Sequence, residues 1–555
     1  MTAHRWSVDT PDRLGTQGLW AAAQARAREL DRDILAVAAL VALTGFAVVL
    51  RVGAAAAPVQ AGEGRGVAQT YGVDALGTLL DPSASPLAWL QTGGYTALTD
   101  AFVRHSTAVG AAREPMIVVS AATSVLLWVL ARRIGLSRLT AAAAIATIAV
   151  SPMALGLQLG TRPENVAVPW ALAGVAVLWT PHRHRRLYSD LWATAFLVIA
   201  VITAPMAFPL IITAAWLVWR RGRRRLSLML SSLFVLGTGI GMGVSTALIG
   251  LQIATEGPSA TDWFAQDTVF AVAAVGAAVL TLFSYRLRPL AAGVLALFAL
   301  AAVPGGPDTA ALAVAVAPAA LLVAGAVERA TRFQPREWTW HKPLRVPTAL
   351  LAATMAAATL PTWIDGLRAP STDPTPIADA AHWLTENLPT TPVVTDGTTW
   401  VDLLRDGRPP TATTRAMDCA ATCVSQSWLL VTPALRLVFA HRPTLTTAAA
   451  TAETVAIFGT GDTRVEIHRP TTDGEAEADE HQARVQAGTR IATSPHIAAP
   501  TAVTETLRAG RTDPRLLTTL STLAATQPIR VTALPPIPGE DAANQPRRQA
   551  VLTTP

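Results

Sequence analysis

One acidic residue, Glu63, stands in the polar segment that follows the first long apolar run of this 555-residue chain, within Gly62-Glu63-Gly64-Arg65-Gly66. At the boundary between water and a low-dielectric bundle, a carboxylate can serve as the base that takes a proton from a hydroxyl group. Glu63 is therefore a candidate catalytic base. The alternative is an ordinary solvated loop carboxylate, and the residue pattern alone leaves both interpretations open.

Arginines near the predicted outer ends of apolar runs could bind a phosphate group. A guanidinium group presents paired donors whose geometry matches phosphate oxygens. Arg162 is the first candidate and lies beside Glu164 and Asn165, and Arg113 and Arg65 are further candidates. Arg162 could equally pair with Glu164 or extend its charged end toward the lipid headgroups.

An apolar and aromatic stretch, Pro86-Leu87-Ala88-Trp89-Leu90-Gln91, follows in the same loop. It predicts a short helix that lies on the membrane surface or packs against the bundle, and the two interpretations are compatible. We include Trp89 among the residues that could contact a substrate.

The two cysteines, Cys419 and Cys423, lie in the C-terminal part of the chain. A C-x-x-x-C pair can close a small disulfide loop, which an oxidising compartment permits. Zinc would need two further ligands nearby, and none is adjacent in the sequence, while a redox motif would be C-x-x-C. We predict a local disulfide and no metal site, and a requirement for a divalent metal is left open.

The composition indicates that a membrane bundle positions these residues. Hydrophobic residues make up 51% of the chain and charged residues only 15%, whereas soluble domains carry about 25% charged residues. A spanning helix needs about 20 mostly apolar residues. Eleven runs approach this length: 35–57, 115–131, 138–158, 165–180, 190–203, 204–219, 226–251, 267–284, 289–304, 309–327 and 346–363.

Clusters of basic residues orient the predicted bundle, because cytoplasmic loops are enriched in lysine and arginine. The clusters lie at 5–32, 132–138, 183–186, 220–225, 286–288 and 329–345. All fall on one side only if 190–203 and 204–219 are separate spans. We therefore predict eleven spans in the cytoplasmic membrane, with a cytoplasmic N-terminus and an extracytoplasmic C-terminus. The net charge of +6 then marks topology, and we predict no nucleic-acid partner.

Three parts follow from this arrangement. We predict a cytoplasmic segment at 1–33, a transmembrane domain at 34–363 with an outer loop at 58–114, and an extracytoplasmic α/β domain at 364–555. Within the last part, the spacing predicts a helix over 377–388 and strands at 393–395, 429–432 and 463–468. The acidic stretch 470–483 is predicted to be a solvated loop.

Four stretches resemble the GT-C class of polytopic membrane glycosyltransferases, especially the actinobacterial branch of the protein mannosyltransferase and aminoarabinose transferase-like family. Glu63-Gly64 with Gln69-Thr70-Tyr71 resembles the family's D-E-G-T-Y-x-x-Q-A loop, and 86–91 resembles its H-P-P-L-G-W-L-Q segment. Residues 135–170 resemble its third and fourth spans, and 381–466 resemble its outer domain.

The resemblance implies an inverting, hexosyltransferase-like enzyme that moves a sugar from a polyprenyl-phosphate donor to a glycan, lipid or protein acceptor outside the membrane. Glu63 would deprotonate the acceptor hydroxyl, and Arg162 would hold the departing phosphate. The further substrate-binding residues would be Arg113, Arg65, Glu164, Asn165 and Trp89. The lipid-linked sugar is the donor substrate, and no separate cofactor is implied.

The chain departs from the family pattern at two positions that carry chemistry. The family's first acidic residue corresponds to Gly62, and its histidine corresponds to Ala84. These differences leave a second hypothesis open, a catalytically inactive relative that binds lipid-linked sugar or scaffolds envelope assembly. A transporter is disfavoured, because the sequence shows no paired halves and few charges within its apolar runs.

Overall fold

The computed structural model of the chain describes most of the helical part and most of the C-terminal part. The described residues are 16–81, 85–179, 186–220, 259–303, 308–332, 361, 364, 374–420, 423–424, 427–439, 442–470, 474–543 and 545–553.

Helices account for the whole described course of the chain before residue 333, apart from short turns. They are α1 (Thr16–Ala54), α2 (Glu63–Ala75), α3 (Pro86–Thr99), α4 (Ala101–Arg104), α5 (Ala108–Ile134), α6 (Arg138–Val150), α7 (Pro152–Leu159), α8 (Pro163–Trp179), α9 (Arg186–Thr203), α10 (Leu210–Arg220), α11 (Ala260–Gln266), α12 (Thr268–Thr281), α13 (Arg288–Ala301) and α14 (Asp308–Arg332).

Several of these helices are suited to a lipid bilayer. Ile34–Ala54, Ala108–Ile134 and Asp308–Arg332 are each long and apolar enough to cross it, and two bent helix pairs raise the number to five within the described residues. The predicted span 226–251 lies outside those residues, and so does the predicted span 346–363 apart from residue 361. The fold is therefore mostly helical with several apolar helices of membrane-spanning length, and the full set of eleven spans stays a prediction.

Two polar residues lie at the breaks of the bent pairs. The run predicted as one span at 138–158 forms α6 and α7, which meet at 72°. Pro152 disfavours helical backbone at Ser151, whose side chain instead caps α7. Helices α11 and α12 meet at 109° around Asp267, which caps α12. Ser151 Oγ donates a hydrogen bond to Asp267, so the two breaks are joined to each other.

Helix α14 forms the centre of the bundle. Its side chains from Leu312 to Leu322 are almost fully buried, and its many alanines let neighbouring helices approach closely. Helix α1 differs, because Leu35, Val41 and Val49 are each more than 60% exposed. Such an apolar exposed face suits contact with lipid chains.

The C-terminal part contains two small sheets flanked by helices. The first has the order β2-β1-β3-β5-β4, with β1 parallel to β2 and β3, and with β5 antiparallel to β3 and β4. The second has the order β6-β7-β8. The strands are β1 (Val393–Thr395), β2 (Thr413–Arg415), β3 (Trp428–Val431), β4 (Glu453–Phe458), β5 (Val465–Arg469), β6 (Ile497–Ala498), β7 (Ile529–Ala533) and β8 (Val551–Thr553).

Helices of the C-terminal part match one prediction and contradict another. They are α15 (Thr375–Asn387), α16 (Gly397–Arg405), α17 (Pro433–Phe439), α18 (Pro443–Thr451), α19 (Gly474–Ala492), α20 (Thr501–Arg508) and α21 (Pro514–Thr526). The helix predicted over 377–388 corresponds to α15, and the three predicted strands correspond to β1, β3 and β5. The solvated loop predicted at 470–483 is wrong, because most of that stretch lies in α19. Alanine and glutamate are good helix formers, and Val485 and Ile491 supply the apolar side that packs on the domain.

The C-terminal part docks on the loop helices of the first part. Val67, Tyr71, Phe102 and Trp400 belong to one buried cluster, in which the ring of Tyr71 meets that of Trp400 edge to face at 6.4 Å. Asp402 Oδ1 accepts a hydrogen bond of 2.8 Å from the N–H of Ala108, which begins α5.

Burial at this docking surface raises the pKa of Asp402 to about 6, although the Ala108 N–H and Arg405 favour its charged form. The unfolded chain loses that proton near pH 3.8, so the folded state holds more protons between about pH 4 and 6. We expect stability to fall as the pH rises through this window, by roughly 2–3 kcal/mol at most. Unfolding midpoints measured from pH 4 to 7 test this, and Asp402→Asn should flatten the profile. An unchanged slope in that variant would contradict the assignment.

Candidate active site at the N-termini of α2 and α8

Glu63 and Arg113 form a buried ion pair. Arg113 Nε donates to Glu63 Oε1 at 2.8 Å, and Arg113 Nη2 donates to Glu63 Oε2 at 2.6 Å. Both side chains are at most 1% exposed. Glu63 Oε2 also accepts from the N–H of Gln60 at 3.0 Å. In this arrangement neither oxygen of Glu63 is open to a substrate, so its use as a base requires the pair to separate.

The same arginine ties the end of the first span to the loop. Arg113 donates to the carbonyl oxygens of Ala55, Ala57 and Pro58 at 2.8, 2.7 and 3.1 Å. These three carbonyls belong to the turn that follows α1, which ends at Ala54. The guanidinium therefore joins the end of α1 to α2 and α5, and its hydrogen bonds are used within the fold.

Arg162 lies near the ion pair and differs from Arg113 in having few partners. Its Nη2 makes one long hydrogen bond of 3.5 Å to the carbonyl oxygen of Ala61, and Nε makes none with the residues that the structure describes. Among the described residues no carboxylate lies within ion-pair distance of it. Burial lowers the pKa of Arg162, and the carboxylates of Glu164, Glu63 and Asp308 oppose that effect. The group retains donors for an anionic ligand.

Glu164 is the half-buried carboxylate beside Arg162, in the first turn of α8. Burial raises the pKa of Glu164, while its own N–H and the charge of Arg162 act in the opposite direction. A carboxylate with a raised pKa takes up a proton more readily at neutral pH than an ordinary one. We name Gln60, Glu63, Arg113, Arg162, Glu164 and Asp308 the polar mouth.

The other predicted site residues have partners within the fold. Arg65 forms an ion pair with Asp81. Asn165 Nδ2 donates to the carbonyl oxygens of Leu157 and Gly160, both at 2.8 Å, and so closes the end of α7.

Trp89 lies outside the polar mouth. It is 3% exposed and packs with Met116 and Val166, so it contributes to the core in this structure. The helix predicted around it is α3, whose opposite side exposes Leu90 and Leu98. The packing of α3 on the bundle is confirmed, and contact of its exposed apolar residues with the membrane surface stays a prediction.

No family model matches this chain, and no curated protein matches it. Similar solved structures include ArnT from Cupriavidus metallidurans bound to undecaprenyl phosphate, which is 13% identical over 79% of this chain and 98% of that chain, with a TM-score of 0.45. The arabinofuranosyltransferase AftD from Mycobacteria is 16% identical over 78% of this chain and 40% of that chain, with a TM-score of 0.46.

A further similar structure is the arabinosyltransferase EmbB from Mycobacterium smegmatis. It is 16% identical over 60% of this chain and 38% of that chain, with a TM-score of 0.34. At these identities and TM-scores the likeness assigns no reaction to this chain.

Gly62 occupies a backbone conformation that explains its residue type. It caps α2 with φ of 79°, in the left-handed region that favours glycine. An aspartate at this position, as in the family pattern, would meet strain unless the turn changed. The histidine position of that pattern, Ala84, lies outside the described residues.

Two residues of the polar mouth, Gln60 and Asp308, were not predicted from the sequence. Gln60 Nε2 donates to the carbonyl oxygen of Gly156 at 2.9 Å, while its Oε1 is buried and has no hydrogen-bond partner in the described part of the chain. Asp308 begins α14 and accepts from the N–H of Ala260 at 2.8 Å. Asp308 could have been predicted from the sequence, because it is an acidic residue directly before a long apolar run. No feature of the sequence pointed to Gln60.

The described part of the chain contains no cluster of side chains that could bind a metal ion. There, no group of three or more histidine, cysteine, aspartate or glutamate side chains is placed to hold an ion. The requirement for a divalent metal stays open.

Cys419 and Cys423 are joined in a disulfide, with their Cα atoms 5.4 Å apart. In a chain-entropy estimate so short a loop contributes about 2 kcal/mol. We expect Cys419→Ser with Cys423→Ser to lower the unfolding free energy by about that amount under oxidising conditions. Reduced wild-type protein should match the variant, and equal stability of oxidised wild type and variant would contradict the expectation.

Proposed function

We propose that this chain is a membrane glycosyltransferase that transfers a sugar from a polyprenyl-phosphate donor to a hydroxyl of an extracytoplasmic acceptor. The observation that carries the proposal is Arg162, a guanidinium in the polar mouth that has no ion-pair partner among the described residues and lies beside the half-buried Glu164. The sequence resemblance supports the same reaction. The several apolar helices support a membrane location.

Arg162 is proposed to bind the phosphate of the donor. As the bond between the sugar carbon and the phosphate oxygen breaks, the phosphate leaves with the electron pair and its negative charge grows. A guanidinium fixed at that position stabilises this charge more in the transition state than in the bound donor. Its planar donors also fit two phosphate oxygens at once.

Glu164 is proposed as the base, in place of the buried Glu63. The acceptor oxygen attacks the sugar carbon from the side opposite the phosphate, which inverts that centre, and its proton passes to the carboxylate. Glu164 retains solvent contact in the described structure, whereas both oxygens of Glu63 are held by Arg113. If the Glu63–Arg113 pair opens when the donor binds, Glu63 is the base, as predicted from the sequence. The variants Glu164→Gln and Glu63→Gln distinguish these two possible bases.

Transfer of a radiolabelled sugar from polyprenyl-phosphate donors tests the proposal. Membranes carrying matched amounts of wild type, Glu164→Gln and Glu63→Gln should be compared. Loss of transfer in Glu164→Gln with a stable protein supports Glu164 as the base. Loss only in a folded Glu63→Gln supports Glu63. Absence of transfer by wild type with all donors would contradict the enzyme.

A catalytically inactive relative is the second candidate, and the closed Glu63–Arg113 pair favours it. Such a protein would bind a polyprenyl phosphate through Arg162 and transfer no sugar. Binding of a polyprenyl phosphate that Arg162→Ala abolishes, without transfer, would support this candidate.

A further inference from the structure

Two glycines from different parts of the chain touch through their backbones. A Cβ atom placed on Gly397, at the start of α16, would lie 2.3 Å from the carbonyl oxygen of Gly64 in α2. A Cβ atom on Gly64 would lie 3.3 Å from the nitrogen of Gly397. Neither glycine has a positive φ, so close approach, and not backbone conformation, accounts for the residue type.

The other side of α2 makes a contact of the same kind with the loop that carries Arg162. A Cβ atom on Gly66 would lie 2.2 Å from the carbonyl oxygen of Thr161, the residue before Arg162. Positions 64 and 66 are about 200° apart around a helix with 3.6 residues per turn. The first turn of α2 is therefore held between Gly397 on one side and Thr161 on the other.

Hydrogen bonds at the start of α16 restrict movement of the Gly397 backbone away from α2. Asp396, just before it, accepts hydrogen bonds from the N–H groups of Thr398 and Thr399 at 2.8 and 3.1 Å, and from the hydroxyl of Thr432. These contacts fix the start of α16 to the end of β3. A shift of α16 would therefore displace α2, and α2 would displace the Thr161–Arg162 backbone.

We propose that Gly397 is a positioning residue, through which the C-terminal domain sets the place of Arg162 by way of the glycines of α2. The inference rests on the proposed role of Arg162 in phosphate binding. It gives the C-terminal domain a part in the reaction without contact with the reacting atoms. It also explains why the segment Gly64-Arg65-Gly66 places small residues on opposite sides of one turn.

The test measures binding of a sugar-free, short-chain polyprenyl phosphate to purified full-length protein in lipid nanodiscs. Gly397→Ala should weaken binding at least tenfold, and Gly64→Ala, which meets a less severe contact, should weaken it less. Gly94→Ala is the matched control, because a Cβ atom there meets no neighbour within 4 Å. Melting temperatures report whether each variant is folded.

A double-variant comparison separates positioning from general damage. In an Arg162→Lys background, Gly397→Ala should cause little further loss of affinity, because the group it positions is already altered. Equal additional loss in both backgrounds, or binding by Gly397→Ala equal to that of Gly94→Ala, overturns the proposal. Should Gly397→Ala be unfolded, Gly64→Ala decides by the same comparison. If wild type fails to bind the probe, the phosphate site of the proposed function fails instead.

Discussion

Replacement of Glu63 by glutamine is expected to lower the unfolding free energy of the protein by about 3–5 kcal/mol. The change leaves the Arg113 guanidinium buried without its counter-charge, and Arg113 is only 1% exposed. Removing one member of a buried pair costs this much because the remaining charge is not solvated. Denaturant titration in detergent micelles, followed by tryptophan fluorescence, measures the change.

Two further variants show whether the pair itself accounts for the loss. Glu386→Gln is the control, because that carboxylate is 64% exposed on α15 and should be neutral to within about 0.5 kcal/mol. Glu63→Gln combined with Arg113→Met should be destabilised by less than the sum of the single variants, since the buried charge is then absent. A Glu63→Gln protein as stable as the control would show that the pair is not formed.

Substitutions at Arg162 and Glu164 are expected to abolish most sugar transfer while the protein remains folded. Arg162→Ala should lower kcat about 10²–10³-fold, the effect of removing one donor from a developing negative charge. Glu164→Gln should lower it about 10²–10⁴-fold, the range for loss of a general base. Rates of transfer from a polyprenyl-phosphate donor, measured at saturating acceptor, test both values.

The pH profile gives a second readout on the base. Because the pKa of Glu164 is raised by burial and a base acts when deprotonated, transfer should fall as the pH drops through that pKa. Glu164→Gln should remove this acidic limb. Arg162→Lys is the conservative control at the phosphate position, since it keeps the charge and loses the paired donors. Full activity in Glu164→Gln would exclude it as the base.

Much of the helical fold was predictable because apolar periodicity and length are local properties. The run at 115–131 lies within α5, and the run at 309–327 lies within α14. The breaks were harder to predict. Pro152 signalled the bend after α6, but the 109° turn at Asp267 depends on a carboxylate that caps one helix and accepts from Ser151. That partner is distant in sequence.

Four of the six residues that form the polar mouth could be identified from the sequence, but the pairing among them could not. Glu63, Arg113, Arg162 and Glu164 were all identified from charge type and position. Which arginine meets Glu63 depends on how α2 packs against α5, and composition does not encode that choice. Arg113 reaches Glu63, so its charge is used in the fold, while Arg162 keeps its donors. The left-handed backbone conformation of Gly62 could not be predicted either, because glycine adopts positive and negative φ about equally well.

The cluster that joins Tyr71 and Phe102 to Trp400 has a consequence for biosynthesis. A ribosome makes α2 and α4 long before it makes α16, so their apolar sides have no cover while the remaining membrane helices are inserted. Val67, Tyr71 and Phe102 therefore lack their contact with Trp400 until α16 has been translated. The loop can reach its final packing, and the polar mouth its final shape, only after the C-terminal part has folded against the loop.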